Sequence, residues 1–414
     1  MKIVLLTLPH EGEYKSWITP TITEPKGLKN IPLGLVSLAT NTREGNDIVI
    51  LDAFSEGWGI EETTKRINNE NADAIGFSVV TRRVYALHKL IENTTAKWKI
   101  AGGPHATYHA EELIDHGIDT VFVGPLADME FFEWAKAPTK GIIHCNTDIN
   151  AIKYPNRTII DFEDYFFKGK VFFEANRRTP MFTSVGCPMA CKFCSVQSKK
   201  IYHKDAEKVL EEMWYLKSLG VESVHFFDDN FNISNANVVK ILDQMEKTGW
   251  NTEWSMRGQV KFDLSLVPRM RKHGLKRIHV GIESLDNDIL KWFNKKHTVD
   301  DVKKFCDAMR ENNIDILSYF IIGTPMETPE YLDALPGKIR ELGIPHPYIN
   351  ILFPQPDTEY YDDLVKCRVY RYDIWKEYFK NPTPDFELPS PFEPGKLERI
   401  MKKADSIIKE FTEL

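Results

Sequence analysis

Cys187, Cys191 and Cys194 lie in the run TSVGCPMACKFCSVQ with the spacing Cys-x3-Cys-x2-Cys. Thiolates this close together suit soft-metal ligation, either by zinc or by an iron–sulfur cluster. A closed zinc site or an ordinary cluster calls for a fourth ligand, and no fourth cysteine lies nearby. Three thiolates on a four-iron cluster would leave one iron open to a substrate or cofactor.

The run also sets an aromatic, Phe193, directly before the last cysteine. In these features it resembles the cluster loop of the radical S-adenosylmethionine (SAM) enzymes. The resemblance implies a 4Fe-4S cluster on Cys187, Cys191 and Cys194, with the open iron chelating the amino and carboxylate groups of SAM. It implies cleavage of SAM to a 5′-deoxyadenosyl radical that abstracts an unactivated hydrogen, and an electron donor of the flavodoxin or ferredoxin type. Further positions resemble the family's SAM contacts. Asp228 and Asp229 in FFDDNF (226–231) stand where the amino group is often held. Arg257 in SMRGQV offers a planar guanidinium that suits the SAM carboxylate or ribose. Glu283 and Ser284 close VGIES (280–284), a place of ribose or carboxylate contact. Gly323 in FIIGTPMET (320–328) resembles the strand end that packs on adenine, where a missing side chain permits close approach.

Upstream, IPLGLVSLA (31–39), LDAF (51–54), FSVVT (77–81), AGGPHAT (101–107) and VFVG (121–124) resemble the cobalamin-binding domain fused to one large radical SAM subfamily. That resemblance assigns Ser78, Thr81, Gly102, Gly103, Val123 and Gly124 to the cobalamin nucleotide tail, the glycines by backbone approach and the hydroxyls by hydrogen bonds. Two features depart from the pattern. The last segment usually continues as Gly-Glu-Gly-Glu and here reads GPLADME. The Asp-x-His-x-x-Gly cobalt-ligand motif is absent, so the lower cobalt face falls to His10, Tyr14, Arg82 or no residue. His105, His109 and His116 are read as surface or tail-contacting residues of a glycine turn and its helix, not as a zinc site.

The elements that must position these residues follow from periodicity. Residues 1–136 alternate apolar runs at 2–8, 47–54, 74–80, 99–107 and 119–124 with helical patterns, which predicts a five-stranded doubly wound parallel sheet, Rossmann-like, with ligands beyond the strand carboxyl ends. Residues 137–175 read as a linker with one short strand, GIIHC. Residues 176–356 carry six strand–helix repeats, with the cysteines after the first strand (181–186), which predicts a partial (β/α)6 barrel with its chemistry at the strand mouths. Residues 357–414 are rich in aromatics and prolines before a final helix, and read as a small C-terminal helical region capping the barrel or stabilising it. The fold class is α/β throughout.

Composition bounds the rest. The chain has 414 residues, 42% hydrophobic and 27% charged, the balance of an ordinary globular protein. A net charge of −7 argues against nucleic acid as a partner, and no apolar run reaches the roughly 20 residues of a membrane span. Three scattered cysteines, Cys145, Cys306 and Cys367, make no disulfide framework, which suits a reducing cytoplasm. No hydrolytic triad, P-loop or dinucleotide fingerprint appears. The reading is a cobalamin-dependent radical SAM C-methyltransferase acting on an unactivated sp3 carbon. Its substrate is a protein residue, as in compact family members that methylate glutamine, or a small molecule. The alternatives are a radical SAM cyclase, oxidation or rearrangement enzyme in which the N-terminal domain does not use cobalamin, and a non-catalytic cobalamin or iron–sulfur sensor.

Overall fold

The computed structural model describes residues 1–14, 29–166, 177–384, 386–393 and 395–412. They fall into two units. The first comprises the described residues up to 166 together with those of 373–388, and the second those from 177 to 372 and from 389 onward.

In the first unit six strands form one parallel sheet: β1 (Lys2–Thr7), β2 (Asp47–Asp52), β3 (Ala74–Ser78), β4 (Trp98–Gly102), β5 (Thr120–Val123) and β6 (Gly141–His144). Their order is β2-β1-β3-β4-β5-β6. Ile3, Val4, Leu5 and Leu6 of β1 are all buried, because helices cover both faces of a central strand. The strand order reverses between β1 and β3, the switch point outside which such sheets bind ligands. The short strand expected in the linker is in fact the sixth strand of this sheet, paired with β5 from Thr120↔Gly141 to Val123↔His144. Periodicity could not find that pairing: Gly141–His144 is an edge strand with exposed Ile142 and His144 and has no apolar face to announce it. Residues 167–175 of that expected linker lie outside the described residues.

The region after residue 356 does not behave as one piece. Helix Ile374–Lys380 joins the first unit, where Trp375 and Tyr378 pack on Tyr14 at ring distances of 5.0 and 6.0 Å. Helices Glu359–Lys366 and Lys396–Thr412 belong to the second unit.

That second unit is a sheet of six parallel strands: β7 (Arg178–Met181), β10 (Ser223–Phe226), β11 (Glu253–Gly258), β12 (Leu275–Glu283), β13 (Asp315–Ile322) and β14 (His346–Ile351), adjacent in that sequence. Between β7 and β10 a two-stranded antiparallel pair, β8 (Ser184–Val185) and β9 (Tyr202–His203), brackets the cysteine loop. Thus the first barrel strand ends at Met181, and the expected strand 181–186 divides into the end of β7 and all of β8. Val224 and Phe226, Trp254 and Met256, Ile278, Val280 and Ile282 turn to the helices as a buried outer layer. Helix Val299–Glu311 shows the fit of pattern to element: Val302, Phe305, Cys306 and Met309 make its buried stripe, and Thr298 with Asp301 forms a capping box at its start.

Candidate active site

The cysteines occupy the long loop between β8 and β9. Cys187 and Cys191 are partly buried and Cys194 is exposed. The loop is pinned both at the cysteines, where Cys187 N donates to Ser198 O at 2.9 Å and Cys194 N to Cys191 O at 3.1 Å, and between them. Lys192 N donates to Phe293 O at 3.1 Å, Tyr360 N donates to Lys192 O at 2.9 Å, and Asn294 Nδ2 donates to Ala190 O at 2.7 Å. The Lys192 ammonium reaches Glu359 at 2.8 Å and Asp363 at 2.6 Å. Phe193, the aromatic of the motif, stands edge-on to Phe293 at 5.1 Å in an apolar cluster with Ile289, Leu352 and Tyr360. Three thiols presented from one pinned, partly open loop could together hold a metal centre.

The strand mouths of the second unit hold the expected SAM residues in unequal situations. Asp228 is fully buried and committed to the protein: its carboxylate accepts from Thr183 N at 2.7 Å, from the Thr183 hydroxyl, and from Ser184 Oγ at 2.7 Å. Burial pushes its carboxyl up to about 6 against those bonds. Asp229 is exposed, and its Oδ2 accepts from Gly186 N at 2.8 Å, just before Cys187. Ser284 is also committed, sharing a hydrogen bond with the Tyr331 hydroxyl at 2.7 Å. Arg257 lies over the exposed ring of Phe227, 3.3 Å from its centroid, and burial lowers its pKa. Gly323 has φ +99°, and a side chain there would meet Phe392, 3.1 Å from the added carbon, so the ring packed on this glycine is the protein's own. Its N–H donates to Glu327 at 2.6 Å, and burial pushes the Glu327 carboxyl up to about 7.

Glu283 ends β12 in the left-handed region, φ +68°, which costs a non-glycine residue about 1–3 kcal/mol. Burial pushes its carboxyl up, and it pairs with Lys295 at 3.2 Å. Desolvation opposes the Lys295 ammonium, yet Glu283 and Cys191 beside it raise its pKa. Sequence reading missed Lys295. It sits in FNKKHT with nothing in its spacing to mark it, and only the chain's return after β12 brings it to the cysteines. The inner wall was missed too. His225 Nδ1 meets Ser255 Oγ at 2.7 Å, His279 lies 4.7 Å from His225, and Tyr319 and Tyr348 continue the row. Burial and the nearby arginines Arg257, Arg277 and Arg178 hold His279 down to about 3 and His225 well below its usual value, so both rings are neutral.

In the first unit the expected cobalamin residues gather at the carboxyl ends of three adjacent strands. Ser78 ends β3 beside Gly102 at the end of β4, and Val123 ends β5 before Gly124. Gly103 turns at φ +100°, where a side chain would meet the Val79 backbone at 3.0 Å. One hydroxyl ties two of the turns: Thr107 Oγ1 donates to Gly103 O at 3.1 Å and accepts from Gly124 N at 3.3 Å. Thr81 Oγ1 meets His105 Nδ1 at 3.3 Å. A side chain on Gly102 would only touch Phe122, 3.9 Å from the added carbon, an ordinary van der Waals contact. Bare backbone and hydroxyls at one strand edge fit a polar nucleotide tail. Of the candidates for the lower cobalt face, His10 hydrogen-bonds Glu13 at 3.1 Å, Tyr14 is buried with its hydroxyl pushed up to about 12, and Arg82 lies over the Tyr14 ring.

Two family models match the chain, the Radical SAM superfamily over residues 181–336 and the B12 binding domain over residues 22–130. The chain thus carries a radical SAM domain behind a B12-binding domain, and its cofactors are a 4Fe-4S cluster, SAM and cobalamin. An uncharacterized methyltransferase of Pyrococcus horikoshii is 25% identical, over 91% of this chain and 86% of its own. The bacteriochlorophyllide d C-12(1)-methyltransferase of Chlorobaculum tepidum is 25% identical over 85% of this chain and 77% of its own. Among solved structures the radical SAM methyltransferase TsrM of Kitasatospora setae, with cobalamin and a 4Fe-4S cluster bound, superposes with a TM-score of 0.68 at 17% identity, covering 88% of this chain and 78% of its own, a likeness of fold. No described helix is long and apolar enough to cross a membrane.

Proposed function

We propose that this enzyme transfers a methyl group from SAM to an unactivated sp3 carbon of an organic substrate. The observation that carries the reading is the pinned loop of three cysteines in a chain that also has a B12-binding domain, with methyltransferases among its relatives. When bound, the cluster with SAM supplies a hydrogen-abstracting radical, and cobalamin supplies a transferable methyl group. The protein's part is to hold and shield. Cys187, Cys191 and Cys194 hold the cluster. Arg257, stacked on Phe227, receives the SAM carboxylate, with Asp229 and the Glu283–Lys295 pair beside the same strand mouths. Ser78, Thr81, Gly102, Gly103, Val123 and Gly124 receive the cobalamin tail. Neutral His225 and His279 line the inner wall without adding charge. The substrate is a residue in a protein, such as glutamine, or a small molecule, and the electron comes from a flavodoxin- or ferredoxin-type donor in the cytoplasm.

A cyclase reading is kept because an anaerobic magnesium-protoporphyrin IX monomethyl ester cyclase of Rubrivivax gelatinosus is 22% identical over 81% of this chain. The deciding experiment supplies methyl-labelled SAM and a reductant to the anaerobic holoenzyme with candidate peptides and small-molecule acceptors. Label in a carbon-bound methyl of the product supports transfer. Product formed by loss of hydrogen without label, together with 5′-deoxyadenosine, replaces transfer with oxidative cyclisation.

A further inference from the structure

We propose that the first unit also binds a divalent transition-metal ion of the zinc class at His88, Glu112 and His116. His88 lies on helix Val84–Asn93, Glu112 on helix Ala110–Asp115, and His116 caps the end of the latter. His88 Nε2 is 3.1 Å and His116 Nδ1 3.2 Å from the same oxygen, Glu112 Oε1, and all three ligand atoms lie within 4.8 Å of one another. Zinc holds nitrogen and oxygen at about 2.0–2.2 Å in a tetrahedron, which sets neighbouring ligand atoms about 3.3 Å apart. Two of the three edges already have nearly that length. Two imidazoles and one carboxylate leave a fourth position for water, a composition zinc accepts.

The outward bonds of these groups are the second observation. His116 Nε2 lies 3.1 Å from the Lys380 carbonyl; in the tautomer that donates there, Nδ1 is the lone-pair nitrogen on the side of Glu112. The other oxygen of Glu112, Oε2, meets His105 Nε2 at 3.2 Å. A ligating imidazole that gives its other N–H to a backbone carbonyl, and a ligating carboxylate held by a further hydrogen bond, are how metal centres orient their ligands. His116 Nδ1 is also 2.8 Å from the Glu112 carbonyl, a contact that ligation would replace. The side chains of His88, Glu112 and His116 are 10%, 15% and 26% exposed, so the site is partly desolvated yet reachable from water. An ion there would tie the two helices to helix Ile374–Lys380 and, through Glu112 and His105, to Thr81 at the end of the β3 turn. The role is structural: it fixes the strand-end turns of the B12-binding domain. The sequence reading set zinc aside by taking His105, His109 and His116 as surface or tail-contacting residues; His88, from a different helix, did not enter it.

The test uses the full chain with its iron–sulfur cluster already assembled, so that the cysteines do not compete, treated with a mild chelator and then with zinc chloride. One zinc per chain beyond the iron is expected, with an X-ray absorption shell of nitrogen and oxygen near 2.0–2.1 Å and no sulfur at about 2.3 Å. His88→Gln and His116→Gln should each weaken zinc affinity at least about tenfold, and His105→Gln, one bond further out, by about 10–100-fold. Zinc should raise the melting temperature of the parent chain and not of His88→Gln. The metal-free melting temperature of His88→Gln should match the parent, which separates lost binding from lost folding. Absence of bound zinc, a sulfur shell, or affinity unchanged in both His88→Gln and His116→Gln would overturn the site.

Discussion

Cys191 sits one residue from Lys192, whose backbone and ammonium together make four polar contacts to Phe293, Tyr360, Glu359 and Asp363. Its thiol is therefore delivered to a set position before any metal arrives. Cys191→Ala should abolish the cluster's visible absorbance and all reductive SAM cleavage, measured as 5′-deoxyadenosine; cleavage that persists would remove Cys191 from the ligand set. Glu327 gives a prediction of a different kind. Its folded pKa is raised by burial to about 7, above the roughly 4.3 of an unfolded glutamate. Between those values the folded chain keeps a proton that the unfolded chain sheds, so stability falls as pH rises from about 4.5 to 7, and that contribution is gone above 7. Glu327→Gln keeps an acceptor for Gly323 N and carries no charge. It should leave stability near pH 5 little changed and raise it at pH 8 by roughly 1–3 kcal/mol. Melting curves of both proteins across that range check this, and parallel pH profiles would refute it. The cysteines were legible because all three lie within one short run. Lys295 was not, since its meaning comes from Glu283 at 3.2 Å and from Cys191, neither of which its local sequence names.

At the scale of elements, the strand–helix alternation was legible wherever an apolar run was bounded by helical periodicity, as in β1, β10 and helix Val299–Glu311. It failed where an element is defined by its partner. β8 has two residues and exists only because β9 pairs with it, and helix Glu359–Lys366 carries Tyr360 and Tyr361 as its whole buried face. That helix nonetheless takes part in the site, since Tyr360 N holds Lys192 O and its ring closes the cluster around Phe293. Asp228 shows the same limit on function. An acidic pair at a strand end reads as two candidate ligands, but the first aspartate is used to accept bonds from Thr183 and Ser184. Phe293 is fully buried, and Phe293→Ala should destabilise the second unit by about 3–5 kcal/mol. Because the ring holds Phe193 edge-on, the substitution should also lower iron bound after reconstitution while leaving cobalamin content per folded chain unchanged. Full iron occupancy in the variant would show that the backbone bonds alone position the loop.

For the whole molecule the telling feature is that its units are not contiguous in sequence. Residues 373–388 belong to the unit that holds the described residues up to 166, not to the barrel region they follow. A linear reading cannot see this, because helix Ile374–Lys380 has an aromatic stripe that would suit either core. What assigns it is contact. Trp375, Tyr378 and Phe379 are 1%, 3% and 3% exposed, and they cover Tyr14, His105 and His109. The Lys380 carbonyl accepts from His116 as well. Burying each such aromatic is worth about 1.5–3 kcal/mol, so the helix supplies a large part of the margin by which a domain of this size stays folded. Residues 1–166 produced alone should therefore melt well below the same residues joined through a flexible Gly/Ser linker to 373–388, and should bind a hydrophobic dye that the joined form does not. Cobalamin retention should follow the same order, since His105 leads through Thr81 to the strand edge that receives it. Equal melting and equal dye binding in the two forms would mean that the first 166 residues complete their own core and that helix Ile374–Lys380 only rests on it.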